Sequence, residues 1–222
     1  MMDHEQFLKD TLKPKNYILQ LIDEGEHEHQ DFKYQISDAK KIARSISAFA
    51  NNNGGRLLVG VKDNGNIAGV KSDEEIYMIE QAASMYCRPP QNVKFELFRV
   101  EGKNVLLAEV AEAAEKPVQA PDENGHWKVY YRVADENVLA SGLHVRALRQ
   151  SNREEAGALL SFSEKERELL QYLDDHGGIT LTGFSKLAHI SRFAAEDAIV
   201  KLLEMNVIKL SYHNGQCLIS KV

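Results

Sequence analysis

The sequence predicts an α+β chain of two domains, a larger one built on a mixed sheet and a smaller helical one that ends in a hairpin. Three observations carry this. Apolar residues at helical spacing over 39–50 lead straight into an Asn/Gly stop and a short apolar run with an Asp-Asn-Gly turn. β-rich runs then occupy much of 93–133, and the segment after residue 155 changes to short helical patterns. At 222 residues, with 43% hydrophobic and 27% charged residues, the chain can bury a proper core, which excludes disordered and collagen-like classes.

The elements follow in order. Tyr17 to Ile22 is a short amphipathic run, and the acidic, histidine-rich stretch Asp23 to Asp31 reads as a surface loop. If extended, it would put Glu24, Glu26 and Glu28 on one face and His27 and His29 on the other, a weak transition-metal pattern that lacks a third placed ligand. Ala39, Ile42, Ala43, Ile46, Phe49 and Ala50 recur at three and four, so a helix is expected with Ser37 as its cap. Asn51 to Gly55 stops it. Arg56 to Val61 reads as a strand, Asp63 to Asn66 as a tight turn and Ile67 to Val70 as the returning strand. Ser72-Asp73-Glu74-Glu75 has capping-box spacing and opens a helix that Pro89-Pro90 must end. Two β-rich runs between Val93 and Val110 flank Glu101-Gly102, and another strand runs through Val129 to Val133. A short helix is expected over 143–148, with a polar, aperiodic linker over 149–157. The expected domains are 1–150 and 156–222.

In the second domain Ser163 and Glu166 form a capping box ahead of Leu169, Leu170 and Leu173, and Gly177-Gly178 stops that helix. A short helix through Phe184 to Ala188 precedes a third, capped by Ser191, with Ala195, Ala198, Ile199, Leu202 and Leu203 on one face. Two short strands around Asn214-Gly215 complete the pattern of a winged helix-turn-helix.

Net charge is −6 with a pI near 5.8, which argues against a broadly basic nucleic-acid coat and leaves local patches as the only candidates. Cys87 and Cys217 have neither disulfide-framework nor metal-ligand spacing. No apolar run approaches membrane-spanning length, and the first residues lack the basic and apolar regions of a secretion signal, so a cytoplasmic location is expected. Gly54-Gly55 follows a helix C-terminus and no Gly-Lys-Ser/Thr follows, so ATP hydrolysis is not expected.

Residues about 20 to 140 resemble the Schlafen AlbA-like domain, also called the divergent AAA group. The resemblance is carried by the acidic stretch ending in Asp31-Phe32-Lys33, by Ile46-Ser47-Ala48-Phe49-Ala50-Asn51 with Gly54-Gly55, by Gly60-Val61-Lys62-Asp63-Asn64-Gly65 with Gly69, and by Tyr131-Arg132. It implies a nucleic-acid-binding protein, in bacteria commonly a DNA-binding transcriptional regulator with a winged helix after this domain. Schlafen relatives also include endoribonucleases that use three acids, which here would be Glu26, Asp31 and Asp63 on Mg²⁺ or Mn²⁺, with Lys33 stabilising phosphate charge. Asp31 departs from the family's usual Glu, and the missing methylene would retract a ligand. Apart from the resemblance, the three acids read as a solvated acidic face plus a turn aspartate.

The leading expectation is a DNA-binding transcriptional regulator, homodimeric and needing no cofactor. Arg192, Lys201 and Lys209 would contact DNA, assisted by Lys33, Lys40 and Arg132. Carboxylates at Glu196, Asp197 and Glu204 weigh against the helix carrying Arg192. The alternatives are a metal-dependent endoribonuclease acting on RNA through the three acids, and a scaffold whose second domain only mediates dimerisation.

Overall fold

The computed structural model describes residues 15–70, 72–150, 162–213 and 215–222. It is α+β, as expected, and divides into two compact units, Met1–Leu139 and Ala140–Val222. The expected boundary near 155, most of the expected linker, and Asn214 of the final turn lie outside the described residues. The division falls earlier because the helix over Gly142–Gln150 packs against the helix over Arg192–Glu204.

The first unit begins with α1 (Lys15–Glu24), β1 (Gln30–Lys33), α2 (Ala39–Asn51), β2 (Gly55–Val59) and α3 (Glu74–Met85). β3 (Val93–Val100), β4 (Lys103–Val110), β5 (Gln119–Pro121), β6 (Trp127–Val133) and β7 (Glu136–Leu139) follow. The main sheet is mixed, in the order β1-β2-β4-β3, with β1 and β2 parallel and the other pairs antiparallel; β5-β6-β7 form a second sheet. One face of the main sheet buries Phe32, Leu58, Leu107 and Val105 against Ile18 and Leu21 of α1. The other buries Leu57, Val59, Leu106 and Ala108 against Ile42, Ile46 and Phe49 of α2 and Ile79 of α3. This alternation along β2 and β4 is the period-two rule of a strand covered on both faces.

Local chemistry differs from expectation at several ends. α2 is capped by Asp38 and not by Ser37, because the Asp38 carboxylate accepts from the N–H groups of Lys40 at 2.8 Å and Lys41 at 3.3 Å. The capping box expected at Ser72 does not form: Asp73 holds the cap position, and Ser72 Oγ lies 3.4 Å from Glu74 N and 3.3 Å from Glu75 Oε2. The end of the stretch taken as a loop is strand β1, since parallel pairing to β2 satisfies its backbone. The strand expected over 67–70 reduces to a single bridge between Val61 and Ile67. Gly60 is forced there by a positive φ of 91° and by Gly69, whose carbonyl carbon would lie 2.9 Å from an added Cβ. At Gly55 an added Cβ would fall 2.1 Å from the buried Phe49 ring, so the strand after α2 packs flush against α2 itself.

The second unit contains α4 (Gly142–Gln150), α5 (Glu164–His176), α6 (Leu181–Leu187), α7 (Arg192–Glu204), β8 (Ile208–His213) and β9 (Gln216–Lys221). Leu169, Leu173, Phe184, Ile199, Leu202 and Ile219 centre its core. The capping box of Ser163 and Glu166 is complete, and Ser191 caps α7 by accepting from Ala194 N. Among the described residues no helix is long and apolar enough to cross a membrane.

Candidate functional site

The first unit's polar centre lies along the outward edge of β1. A strand edge exposes unpaired backbone groups, and here side chains close it. Glu26 Oε1 accepts from Phe32 N at 2.9 Å, and Lys33 Nζ donates to Phe32 O at 2.9 Å. Arg132 of β6 comes in beside them and is 1% exposed. Its Nη2 donates to Gln30 O at 3.2 Å, its Nε to His27 O at 3.3 Å and its Nη1 to Asn137 Oδ1 at 3.1 Å. The guanidinium carbon sits 5.0 Å from the Phe49 ring centroid.

Asp31 is the counter-charge. Its side chain is buried, with Oδ1 3.4 Å from Arg132 Nη2 and Oδ2 2.7 Å from Lys33 Nζ. The lysine contact is an ion pair without hydrogen-bond geometry, so Oδ2 has no hydrogen-bond partner. Glu26 meets Asp31 carboxyl to carboxyl. Burial pushes the Glu26 pKa up from its ordinary 4.5, and the Asp31 carboxyl beside it raises it further.

The chain reaches this arrangement through α2. Asn51 Nδ2 donates to Val118 O and Tyr130 O, both at 2.8 Å, and Asn51 Oδ1 accepts from Val118 N at 2.7 Å. Asn52 bonds Arg132 through both its N–H and its C=O and donates to Glu28 Oε1 at 2.8 Å. The two asparagines read as a helix stop thus dock β5 and β6 against α2.

These are the residues of a domain family. The Schlafen, AlbA_2 profile matches residues 26–141, more than half of the chain. The chain belongs to the Schlafen AlbA_2 family. The family is a nucleic-acid-associated one. The chain is similar to the DIP2311 protein from Corynebacterium diphtheriae, at 23% identity and a TM-score of 0.43 over 67% of this chain, and it spans 30% of that protein's length. It is also similar to the N-terminal domain of a RecG-related protein from Nitrosomonas europaea, at 19% identity and a TM-score of 0.40, covering 59% of this chain and 97% of that domain. A search of curated proteins found no match.

Within this Schlafen AlbA_2 domain the three acids do not gather. Glu26 and Asp31 meet, whereas Asp63 is exposed on the turn after Val61, and among the described residues no group of three or more His, Cys, Asp or Glu side chains could hold a metal ion. Glu26 accepts from Phe32 N–H and Asp31 faces two cations, so these two carboxylates alone fall short of a ligand set for Mg²⁺ or Mn²⁺. The histidines join no metal group either. His27 Nδ1 accepts from His29 N at 3.2 Å, and His29 Nδ1 meets Gly54 O at 3.0 Å, a partner that can only accept, which places the His29 proton on Nδ1.

The expected nucleic-acid contacts sort by exposure. Arg132 is 1% exposed and its Nε, Nη1 and Nη2 donate to His27 O, Asn137 Oδ1 and Gln30 O, so its guanidinium is turned inward and not presented to a phosphate. Lys201 lies 3.1 Å from Glu166, a buried carboxylate that also closes the α5 capping box, so its ammonium is committed inside the unit. Lys33 is held by Asp31, and Lys40 is exposed with Nζ 5.8 Å from the Tyr86 ring centroid. Arg192 is two-thirds exposed and 3.1 Å from Glu196, and Lys209 is exposed on β8.

Sequence reasoning missed two features. One is a cleft of about 450 Å³ lined by His29, Asn53, Arg56, Asn92, Lys94 and Glu109, in which Arg56, Glu109 and Lys94 are cross-strand neighbours on β2, β4 and β3. The register that aligns them is not readable before the strands are paired. The other is Tyr34, 44% exposed beside Lys62, whose signal was the Lys-Tyr dipeptide at the end of β1.

Arg132→Ala should lower unfolding free energy by about 3 kcal/mol, the lower end of the loss for a broken buried ion pair because Lys33 stays beside Asp31; denaturant titration checks it. A carboxyl whose folded pKa is raised contributes stability that is present below its ordinary value and lost as pH rises through the raised one. The melting temperature of Glu26→Gln should therefore gain on that of the parent as pH climbs above 4.5. Parallel curves would contradict this.

Proposed function

We propose that the chain binds DNA as a transcriptional regulator, with its second unit acting as a winged helix. The order of α5, α6 and α7 followed by the β8–β9 hairpin supports that reading of the unit. The observation that carries it is how charge is arranged at the start of α7. Glu196, the partner of Arg192, is also held by Arg146 at 3.3 Å, and Arg146 pairs with Asp197 as well. Arg192 can swing to a phosphate while Arg146 continues to neutralise Glu196. Lys209 on the proposed wing is exposed, and Lys33 and Lys40 would assist from the first unit. Pairing of two copies goes with this reading, as half-site recognition is commonly dimeric. No cofactor is needed.

The meeting of Glu26 and Asp31, with Lys33 beside them, favours one second reading, a divalent-metal-dependent endoribonuclease. Its ligand set would have to be completed from outside the pair.

Binding to a labelled duplex should weaken with salt, and the combined Arg192→Ala and Lys209→Ala variant should reduce the slope of log affinity against log salt by about two. An unchanged slope and affinity would sink the winged-helix reading. Incubating the protein with structured RNA and Mn²⁺ tests the second reading: cleavage that disappears in Glu26→Gln supports it, and intact RNA removes it.

A further inference from the structure

We propose that Tyr34 and Lys62 form a stacking platform that gives the first unit a preference for single-stranded nucleic acid. The inference rests on the nucleic-acid reading above and adds which form of nucleic acid this unit holds. Tyr34 directly follows the last residue of β1, and Lys62 lies just past the end of β2, at the carboxyl ends of the two parallel strands. The Gly60 N–H donates to Lys33 O at 2.8 Å, tying the two chain segments together where they leave the sheet. The turn carrying Lys62 is held by the Val61–Ile67 bridge, by Lys62 N to Asn66 O at 3.0 Å, and by Gly65 N to Lys62 O at 2.8 Å. Both side chains therefore stand on fixed backbone.

Tyr34 is 44% exposed, and Lys62 Nζ lies 5.6 Å from its ring centroid. An exposed aromatic under a mobile cation offers a flat face to a base and a positive charge to the phosphate attached to it. In a duplex each base face is covered by its neighbours, whereas a single strand can turn a base onto the ring, so the platform discriminates by strandedness. Lys62 is the cation a stacked nucleotide draws off the ring and onto its phosphate. Lys40 Nζ, 5.8 Å from the Tyr86 ring centroid, repeats the pairing at the start of α2. The platform takes any base, because every base has a π face.

The test uses the full chain, a labelled oligouridylate of about 12 nucleotides and a mixed-sequence duplex of about 12 base pairs, read by fluorescence anisotropy. Tyr34→Leu should weaken single-strand binding about tenfold and leave duplex binding unchanged, while Tyr34→Phe should stay within about twofold of the parent. Matching thermal midpoints establish that both variants are folded. A Tyr34→Leu protein that holds the single strand like the parent overturns the inference, as does a Tyr34→Phe loss equal to that of Tyr34→Leu, which would assign the effect to the hydroxyl. A parent that binds the duplex but not the single strand overturns this inference alone. A parent that binds neither overturns the nucleic-acid reading with it.

Discussion

A buried guanidinium organises the first unit. Taking a charge out of water costs several kcal/mol unless every donor finds an acceptor and an opposite charge stands close by. Arg132 meets both conditions because four segments converge on its guanidinium: β1 through Gln30 O and Asp31, the turn before β1 through His27 O, β7 through Asn137, and α2 through the Phe49 ring. Asn137 in turn donates to Ser45 Oγ at 2.9 Å, which carries the constraint back into α2. The second sheet is thereby fixed to the first by polar groups as well as by packing. Replacing Arg132 leaves buried Asp31 to Lys33 alone, so the loss measures the cost of breaking the arrangement more than the net stability it adds.

The same demand explains the acids. β1 is an edge strand, and an edge with free N–H and C=O groups invites another strand. Glu26 and Lys33 occupy the outward groups of Phe32, and Asp31 compensates Lys33 and Arg132. The acidic motif thus has a structural duty that needs no metal, and the aspartate one methylene shorter than the usual glutamate is the residue that neutralises the buried arginine. Burial and the Asp31 carboxyl beside it make Glu26 hold a proton more tightly than a glutamate does in water.

Much of the fold was legible because local signals and burial agreed. The 39–50 periodicity gave α2, Ser163 and Glu166 gave the start of α5, and Ser191 gave α7, since each signal acts within one turn. β1 was not legible: Gln30–Lys33 is four residues long, polar at three of them, and becomes a strand only by pairing with a segment some twenty residues on. Arg132 looked like a surface cation for the same reason, because its partners come from distant segments that sequence spacing cannot bring together. The acidic motif marks Glu26 and Asp31 in the sequence, but that these two meet while no group of three acids forms among the described residues is a tertiary fact.

Cations paired with carboxylates and cations resting on rings differ in how readily a phosphate could draw them away. In the second unit Lys201, Lys221, Arg146 and Arg192 are each paired with a carboxylate, so a phosphate that takes one leaves an anion behind unless a second cation covers it. Arg146 provides that cover for Arg192, but buried Glu166 gives Lys201 no such freedom. In the first unit Lys40 and Lys62 rest over tyrosine rings. A neutral ring gives up a cation for about 0.5–1 kcal/mol at an exposed site, and the uncovered ring face is then available to a base. A phosphate would therefore compete with a weaker partner at Lys40 and Lys62 than at the carboxylate-paired cations of either unit. By this argument an acidic chain can engage a polyanion without a basic coat, through a few cations parked on groups that carry no charge of their own.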